Sequence, residues 1–131
     1  MKIDRPQILA GKFRGVIQEN EALGASPQIR LSIGGPDREA RLDISGELDM
    51  AVEREVADAI HKICADATSL TAVVVDVTEV TFIDSSGLRA LIRARVAAKE
   101  VGLPFHLVCP EAGPVPRLLE LARLKGWFGE I

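Results

Sequence analysis

The sequence predicts one α/β domain, a mixed sheet of about four to five strands with about three to four helices packed on it. Three observations predict this class. The chain has 131 residues, 47% of them hydrophobic, which suffices for one core. Two alternating segments precede an unbroken β-branched run, and segments of helical periodicity separate the later strands. The predicted order is therefore strand, strand, helix, strand, helix, strand, helix.

The domain is predicted to begin with a hairpin. Apolar and polar residues alternate on both sides of Gly34-Gly35-Pro36-Asp37, a sequence typical of a turn. Residues 1–27 show no sustained period and are compatible with a flexible arm, an extra strand or a short helix. The domain is therefore assigned to residues 28–131 and the arm to residues 1–27. The predicted core positions of the hairpin are Ile29, Leu31, Ile33, Ala40, Leu42 and Ile44.

A helix follows the hairpin, and a central strand follows the helix. Gly46-Glu47-Leu48-Asp49 ends the second strand, and the Asp49 carboxylate is a candidate N-cap because it can accept from free N–H groups of the first turn. Ala72-Val73-Val74-Val75 shows no alternation, which is the pattern of a strand covered on both faces. The predicted buried face of the helix holds Val52, Val56, Ile60, Ile63 and Ala67.

The remaining elements are a helix, a strand and a third helix. Asp84-Ser85-Ser86-Gly87 opens the second helix, and Gly102 and Pro104 end it. A strand is predicted over Phe105–Cys109 and a helix over Pro114–Lys125. The positions predicted to face the core are Leu88, Leu91, Ile92 and Val96 in the second helix, Leu118, Leu121 and Ala122 in the third, and Trp127 and Phe128 after it, with Arg89, Arg93 and Lys99 in solvent.

Charge and hydropathy argue against several classes of partner. The formal net charge is −3 and the isoelectric point is near 5.4, so neither nucleic acid nor anionic lipid is a predicted partner. The apolar runs are far shorter than the roughly 20 residues of a membrane span. The start of the chain, Met1–Pro6, is too polar for a signal peptide. We expect a soluble, cytoplasmic protein.

The sequence predicts neither a metal site nor a cofactor. Cys64 and Cys109 lie beside apolar residues without Cys-x-x-Cys spacing, as expected for reduced thiols in or near the core. His61 and His106 form no ligand motif, and neither has a motif partner that would make it the base of a serine hydrolase. No Gly-x-x-x-x-Gly-Lys-Ser/Thr loop or Gly-x-Gly-x-x-Gly turn is present. We expect a binding module and no enzymatic activity.

The Asp84-Ser85-Ser86-Gly87 turn is the candidate functional site. Functional turns of open α/β sheets lie at the carboxyl ends of strands, where helix N-termini present unpaired N–H groups and partial positive charge. Either serine is a candidate for an exposed hydroxyl, and Gly87 would let the backbone of a partner approach closely. The same residues are also an ordinary capping sequence. Asp76 is assigned as a loop carboxylate in the connection before this turn.

Two motifs in this order resemble the signature of STAS domains, the family of bacterial anti-sigma factor antagonists. One is residues 73–88, which run through the Asp-Ser-Ser-Gly turn to Leu88, and the other is Gly46-Glu47-Leu48-Asp49 upstream. The resemblance covers about residues 28–131 and implies a STAS fold over that range. Arg89 departs from the small or apolar residue that is common at its position, which would tune the choice of partner.

The resemblance implies a phosphorylation switch at Ser85. In this family, the serine directly after the aspartate is phosphorylated by an anti-sigma factor that is itself a serine kinase. The unphosphorylated protein binds that kinase and so releases a sigma factor to regulate transcription, and a serine phosphatase resets the switch. The expected form is a monomer or weak dimer. The residues expected to bind the partner are Asp49, Asp84, Ser86, Gly87 and Leu88.

Two other hypotheses remain open. The STAS fold also occurs in stressosome subunits, transporter tails and lipid-transport accessories, so the turn is also compatible with a constitutive scaffold or accessory subunit that packs permanently against its partner. The helix N-terminus at the turn is further compatible with weak binding of a nucleotide.

Overall fold

The computed structural model describes residues 28–128, and the prediction of an arm at residues 1–27 lies outside them. Within that part of the chain there are four strands, three α-helices and one short 3-10 turn, in the predicted order. Their bounds are β1 (Ile29–Gly34), β2 (Glu39–Leu48), α1 (Met50–Ala65), the 3-10 turn (Ala67–Ser69), β3 (Ala72–Ile83), α2 (Ser85–Glu100), β4 (Phe105–Val108) and α3 (Pro114–Leu121).

The described strands form one sheet in the order β1-β2-β3-β4. β1 is antiparallel to β2, whereas β3 runs parallel to both β2 and β4. A helix links each parallel pair, as such connections require. The mixed α/β class is therefore confirmed. Because parallel strands end at the same edge, the turns that follow β2 and β3 lie next to each other.

One apolar cluster joins the sheet to all three helices. Its centre is β3, where Val73 and Val75 are almost fully buried and Val74, which points to the opposite face, is only 7% exposed. This confirms a strand covered on both faces. β3 is longer than the predicted run and continues to Ile83, so Asp76 lies inside the strand and not in a loop.

The structure corrects two predictions in the first two helices: Ala67 packs against the core but lies outside α1, and Val96 is not a core residue. α1 ends at Ala65, and Ala67 opens the 3-10 turn half-buried, because the chain leaves the helical path at Asp66. Val96 of α2 is 42% exposed. Its side of the helix faces away from the sheet, because the buried residues of α2 follow a different helical stripe, namely Gly87, Ala90, Leu91, Ala94 and Ala98.

The third helix is shorter than predicted and is rotated relative to the prediction. It ends at Leu121, because Arg123 adopts a left-handed backbone conformation with φ of 61°. Leu121 is 74% exposed and Ala122 is exposed, whereas Leu118 is half-buried. The buried residues of α3 are Val115, Pro116 and Leu119. The helix therefore turns a different set of side chains toward the core than the sequence predicted.

The last described residues close one end of the core. Phe128 is 2% exposed, and its ring lies 6.3 Å from that of Phe105 and 5.0 Å from that of Trp127, centroid to centroid. Trp127 is 37% exposed, and the guanidinium of Arg95 lies 4.5 Å from its ring centroid. Phe128 therefore belongs to the core. Trp127 packs on Phe128 at the surface, and its ring contacts Arg95 of α2.

Candidate functional site

The two sequence motifs meet at one edge of the sheet. Leu48, the last residue of β2, pairs with Ile83, the last residue of β3. Asp49 and Asp84 follow these residues and precede α1 and α2, so two helices begin side by side. The carboxyl ends of two adjacent parallel strands are where an α/β sheet places its binding turns.

Each of the two aspartates caps its helix. The Asp49 carboxylate accepts a hydrogen bond from the Ala51 N–H at 3.0 Å. The Asp84 carboxylate accepts from the Ser86 N–H at 2.9 Å and from the Gly87 N–H at 3.1 Å. The predicted capping roles of both side chains are therefore confirmed. An acceptor at this position also favours the start of the helix through the helix dipole.

Gly87 allows a close approach within the protein itself. It is buried, and a Cβ built on it would lie 2.2 Å from the carbonyl oxygen of Leu48 and 2.8 Å from Cγ1 of Ile83. The sequence suggested that this glycine makes room for the backbone of a partner. The structure corrects that reason, because the backbone that comes close is the end of β2. Gly87 lets the first turn of α2 lie against the sheet edge.

The two serines differ in exposure. Ser85, the first residue of α2, is exposed, whereas Ser86 is half-buried. The Ser86 hydroxyl lies 3.4 Å from Nη2 of Arg89, which donates to it. Leu88 is half-buried and packs against the core, so only part of its side chain is accessible. Of the two candidate serines, Ser85 is the more exposed.

An ion pair links the two capped helices beside the serines. Nε of Arg89 on α2 donates to Glu53 Oε2 at 2.8 Å, and Nη2 donates to Glu53 Oε1 at 3.3 Å. Nη1 of Arg93 lies 3.5 Å from the same Glu53 carboxylate. The hydrogen bond from Arg89 lowers the pKa of Glu53 below 4.5, and the same bond raises the pKa of Arg89. Sequence patterns did not reveal this bridge, because its partners are 36 positions apart.

Two large apolar side chains near the site are exposed and were not predicted as candidates. Met50, directly after Asp49, is 73% exposed, and Phe82, two residues before Asp84, is 47% exposed. Exposed apolar residues around a polar turn are typical of a protein-binding surface. Their only signal in the sequence was their place in or next to the two motifs, because Phe82 lies within residues 73–88 and Met50 directly follows Asp49.

Other residues considered in the sequence lie elsewhere. The Asp76 carboxylate binds Arg41 and also accepts from the N–H of Thr78 at 2.9 Å. His106 is exposed in β4, where it pairs with Val74, and His61 is exposed on α1. Neither histidine is positioned by these elements at the start of α2.

A groove of about 320 Å³ lies between α1 and α2. Small apolar side chains form most of its lining, and Glu53 and Arg93 are among its charged residues. The Cys64 thiol lies in it, 3.6 Å from the Ala97 carbonyl oxygen, and burial raises its pKa. Cys64 and Cys109 are both free, half-buried thiols. A raised pKa favours the unreactive protonated form of such a thiol near neutral pH.

A family model described as "Mlab, STAS domain" matches residues 31–129, which include both motifs. The chain belongs to the STAS domain family. Its predicted family and fold are confirmed. Among residues 28–128 of this STAS domain, no helix has both the length and the hydropathy needed to cross a bilayer. The same residues contain no group of three His, Cys, Asp or Glu side chains suited to holding a metal ion.

Solved structures share the fold of this STAS domain. An anti-sigma factor antagonist from Mycobacterium paratuberculosis is 27% identical, with a TM-score of 0.63 over 79% of this chain and 86% of that one. The anti-sigma factor antagonist SpoIIAA in its unphosphorylated form is 16% identical, with a TM-score of 0.57 over 79% and 88%. Native Mglu is 20% identical, with a TM-score of 0.54 over 62% of this chain but 22% of Mglu. No curated protein matches the sequence significantly.

Removing the cap of α2 is expected to destabilise the STAS domain more than removing the cap of α1. Asp84→Ala leaves two N–H groups without their acceptor and should lower the free energy of unfolding by about 1–2 kcal/mol, against about 1 kcal/mol or less for Asp49→Ala. Urea denaturation measures both. Asp84→Asn is the matched control, since it keeps an acceptor. Equal losses for Asp84→Ala and Asp49→Ala would contradict this ranking.

The Glu53–Arg89 pair predicts a dependence of stability on pH. The pKa of Glu53 is lowered in the folded state, so its stabilising effect is present above 4.5 and is lost as the pH falls below 4.5 through the folded-state value. Glu53→Gln should therefore flatten the stability profile as the pH falls from neutral to below 4.5. Arg89→Ala should flatten it only in part, because Arg93 still lowers the pKa of Glu53, and adding Arg89→Ala to Glu53→Gln should flatten it no further, in urea titrations at each pH. Additive effects would show that the two side chains act independently.

Proposed function

We propose that this STAS domain is an anti-sigma factor antagonist, a binding module and no enzyme, that works in the cytoplasm. Its partner is an anti-sigma factor that is itself a serine kinase, and binding that kinase releases a sigma factor. The observation that carries the proposal is the exposed Ser85 hydroxyl at the first turn of α2, directly beside the capped start of α1. The 27% identity to a mycobacterial anti-sigma factor antagonist supports it.

The proposed switch is the transfer of a phosphoryl group. In the kinase, the Ser85 oxygen attacks the γ-phosphorus of ATP, the hydroxyl proton passes to a basic group of the kinase, and the bond from the γ-phosphorus to ADP breaks so that ADP leaves. Ser85 then carries about −1.5 to −2 charges and three acceptor oxygens. The helix N-terminus favours this anion by roughly 0.3–1 kcal/mol, while the neighbouring Asp84 carboxylate opposes it. Neither contribution is large enough to unfold the domain, so the switch acts on association.

The same surface explains the selectivity of binding for the unphosphorylated form. Met50 and Phe82 offer apolar area next to Asp49 and Asp84, and Ser85 lies on the second of the two turns that carry them. A packed kinase would have to desolvate a phosphate placed there, which weakens the complex. A serine phosphatase restores the hydroxyl. The protein acts as a monomer or weak dimer and uses no cofactor of its own.

The test is a phosphorylation assay with site localisation. Incubated with ATP and a serine-kinase anti-sigma factor from the same organism, the protein should gain one phosphate, and fragmentation mass spectrometry should place it on Ser85. Ser85→Ala should abolish labelling, and Ser86→Ala, the matched neighbour, should keep it. Labelling that survives Ser85→Ala and disappears with Ser86→Ala would refute the assignment.

A constitutive accessory role is the second candidate. It is favoured by the likeness to Mglu, in which the matching region makes up 22% of a longer chain. In that role, in a stressosome or a transporter, the turn would pack permanently against a partner. The protein should then co-purify stoichiometrically with it, and the complex should tolerate Ser85→Asp. A protein that elutes alone from a sizing column would count against this role.

A further inference from the structure

Arg89 is positioned between two acceptors of different helices. Its Nε and Nη2 atoms donate to Glu53 on α1, at 2.8 and 3.3 Å, and Nη2 also reaches the Ser86 hydroxyl at 3.4 Å. The guanidinium therefore already lies over the first turn of its own helix. The sequence already marked this arginine as a departure from the small or apolar residue that is common at its position in the family.

Helical spacing also makes Ser85 a neighbour of Arg89 on the surface of α2. The two residues are four positions apart in α2, a spacing at which side chains are neighbours on the helix surface. Arginine binds phosphate through two parallel N–H donors, and charge-assisted bonds of this kind are about twice as strong as neutral ones. The observed contact with Ser86 places the Arg89 guanidinium beside the first turn of α2, where a phosphate on Ser85 would lie.

Resting on the proposed phosphorylation of Ser85, we infer that Arg89 is the intramolecular receptor of the phosphate and leaves Glu53 to bind it. The phosphate carries about −1.5 to −2 charges against −1 for a carboxylate, so it is the stronger acceptor. Glu53 stays neutralised because Arg93 also contacts it, at 3.5 Å. The exchange offsets the repulsion between the phosphate and Asp84, and it removes a bridge between α1 and α2.

The experiment must distinguish direct binding of the phosphate by Arg89 from the general effect of the charged groups around it. Asp84 acts on both Arg89 and Glu53 through its charge, and Arg93 acts on Glu53 from the next turn of α2. A general effect of positive charge on α2 would be shared by Arg93. Direct binding by Arg89 would not be shared, because Arg93 is eight positions from Ser85 and two turns away.

The test uses the full chain with phosphoserine incorporated at position 85 during translation, so no kinase is needed. Titration by phosphorus NMR gives the second pKa of the phosphate, about 6 in an isolated phosphoserine. Arg89→Ala should raise that pKa by about half a unit, an approximately threefold change in the ionisation constant. Arg93→Ala, the matched control, should change it much less. Glu53→Gln should lower it, and this effect should shrink in the Arg89→Ala background.

An unchanged pKa in Arg89→Ala, or an equal change in Arg93→Ala, would overturn the inference. Either result leaves the proposed function standing, because that depends on labelling of Ser85 by a kinase. Conversely, a kinase that ignores Ser85 would refute the proposed function while the NMR result still reports on Arg89. Circular dichroism of each variant checks that the fold is retained.

Discussion

Gly87→Ala is expected to lower the free energy of unfolding by about 3 kcal/mol or more, the upper end of the usual cost of overpacking. The added Cβ would lie 2.2 Å from the Leu48 carbonyl oxygen, and this neighbour is backbone and cannot rotate away. It also would lie 2.8 Å from Ile83 Cγ1 and 2.9 Å from Leu48 Cγ. The start of α2 must move away from the sheet edge to relieve these contacts.

A competing effect has the opposite sign. Alanine is the better helix former and would stabilise the interior of a free helix by about 1 kcal/mol relative to glycine. That gain is smaller than the cost of displacing α2, because moving the helix also disturbs the buried stripe that includes Ala90 and Leu91. The net change should therefore be destabilising.

Urea denaturation followed by circular dichroism measures the Gly87→Ala effect. Gly34→Ala is the matched control, since a Cβ there meets nothing within 4 Å, and its effect should stay within about 0.5 kcal/mol. Wild-type stability of Gly87→Ala would show that the helix start can shift without cost. A loss of partner binding by a Gly87 variant must accordingly be judged against its stability.

The fold followed from the sequence wherever burial imposes a simple period. Alternation identified β1 and β2, and the unbroken valine run identified β3 as central. The prediction failed where the period is ambiguous. In α3, a helix of 8 residues, the stripe was displaced, since so few turns barely define a phase. Val96 was misplaced because α2 buries small residues, which carry little hydropathy signal.

Only those features of the candidate site that depend on residues close in sequence could be predicted. Capping depends on neighbours in sequence, so Asp49 and Asp84 could be assigned from their position before apolar helical segments. The sequence could not show why position 87 needs glycine, because the carbonyl oxygen that a Cβ there would contact belongs to Leu48, in another element of the fold. The Glu53–Arg89 bridge joins two helices whose relative rotation no periodicity specifies.

Ser85→Asp is expected to weaken binding to the kinase by about thirty- to a hundredfold, which corresponds to roughly 2.0–2.8 kcal/mol. The substitution places a carboxylate on the exposed first residue of α2, and a packed partner would have to desolvate it. The domain itself should keep its stability, since a negative charge at a helix N-terminus is favourable by roughly 0.3–1 kcal/mol. The binding loss is thus separable from any folding defect.

Isothermal calorimetry with the purified kinase measures the effect, and urea denaturation checks the fold in parallel. Ser85→Asn is the matched control, because asparagine has nearly the size of aspartate without its charge, and it should bind within about threefold of wild type. An equal loss with Ser85→Asn would mean that space and not charge governs the contact. Wild-type affinity of Ser85→Asp would remove the charge switch and leave the constitutive role as the better account. Because the desolvated charge sits inside the interface, adding salt should restore little of the lost affinity.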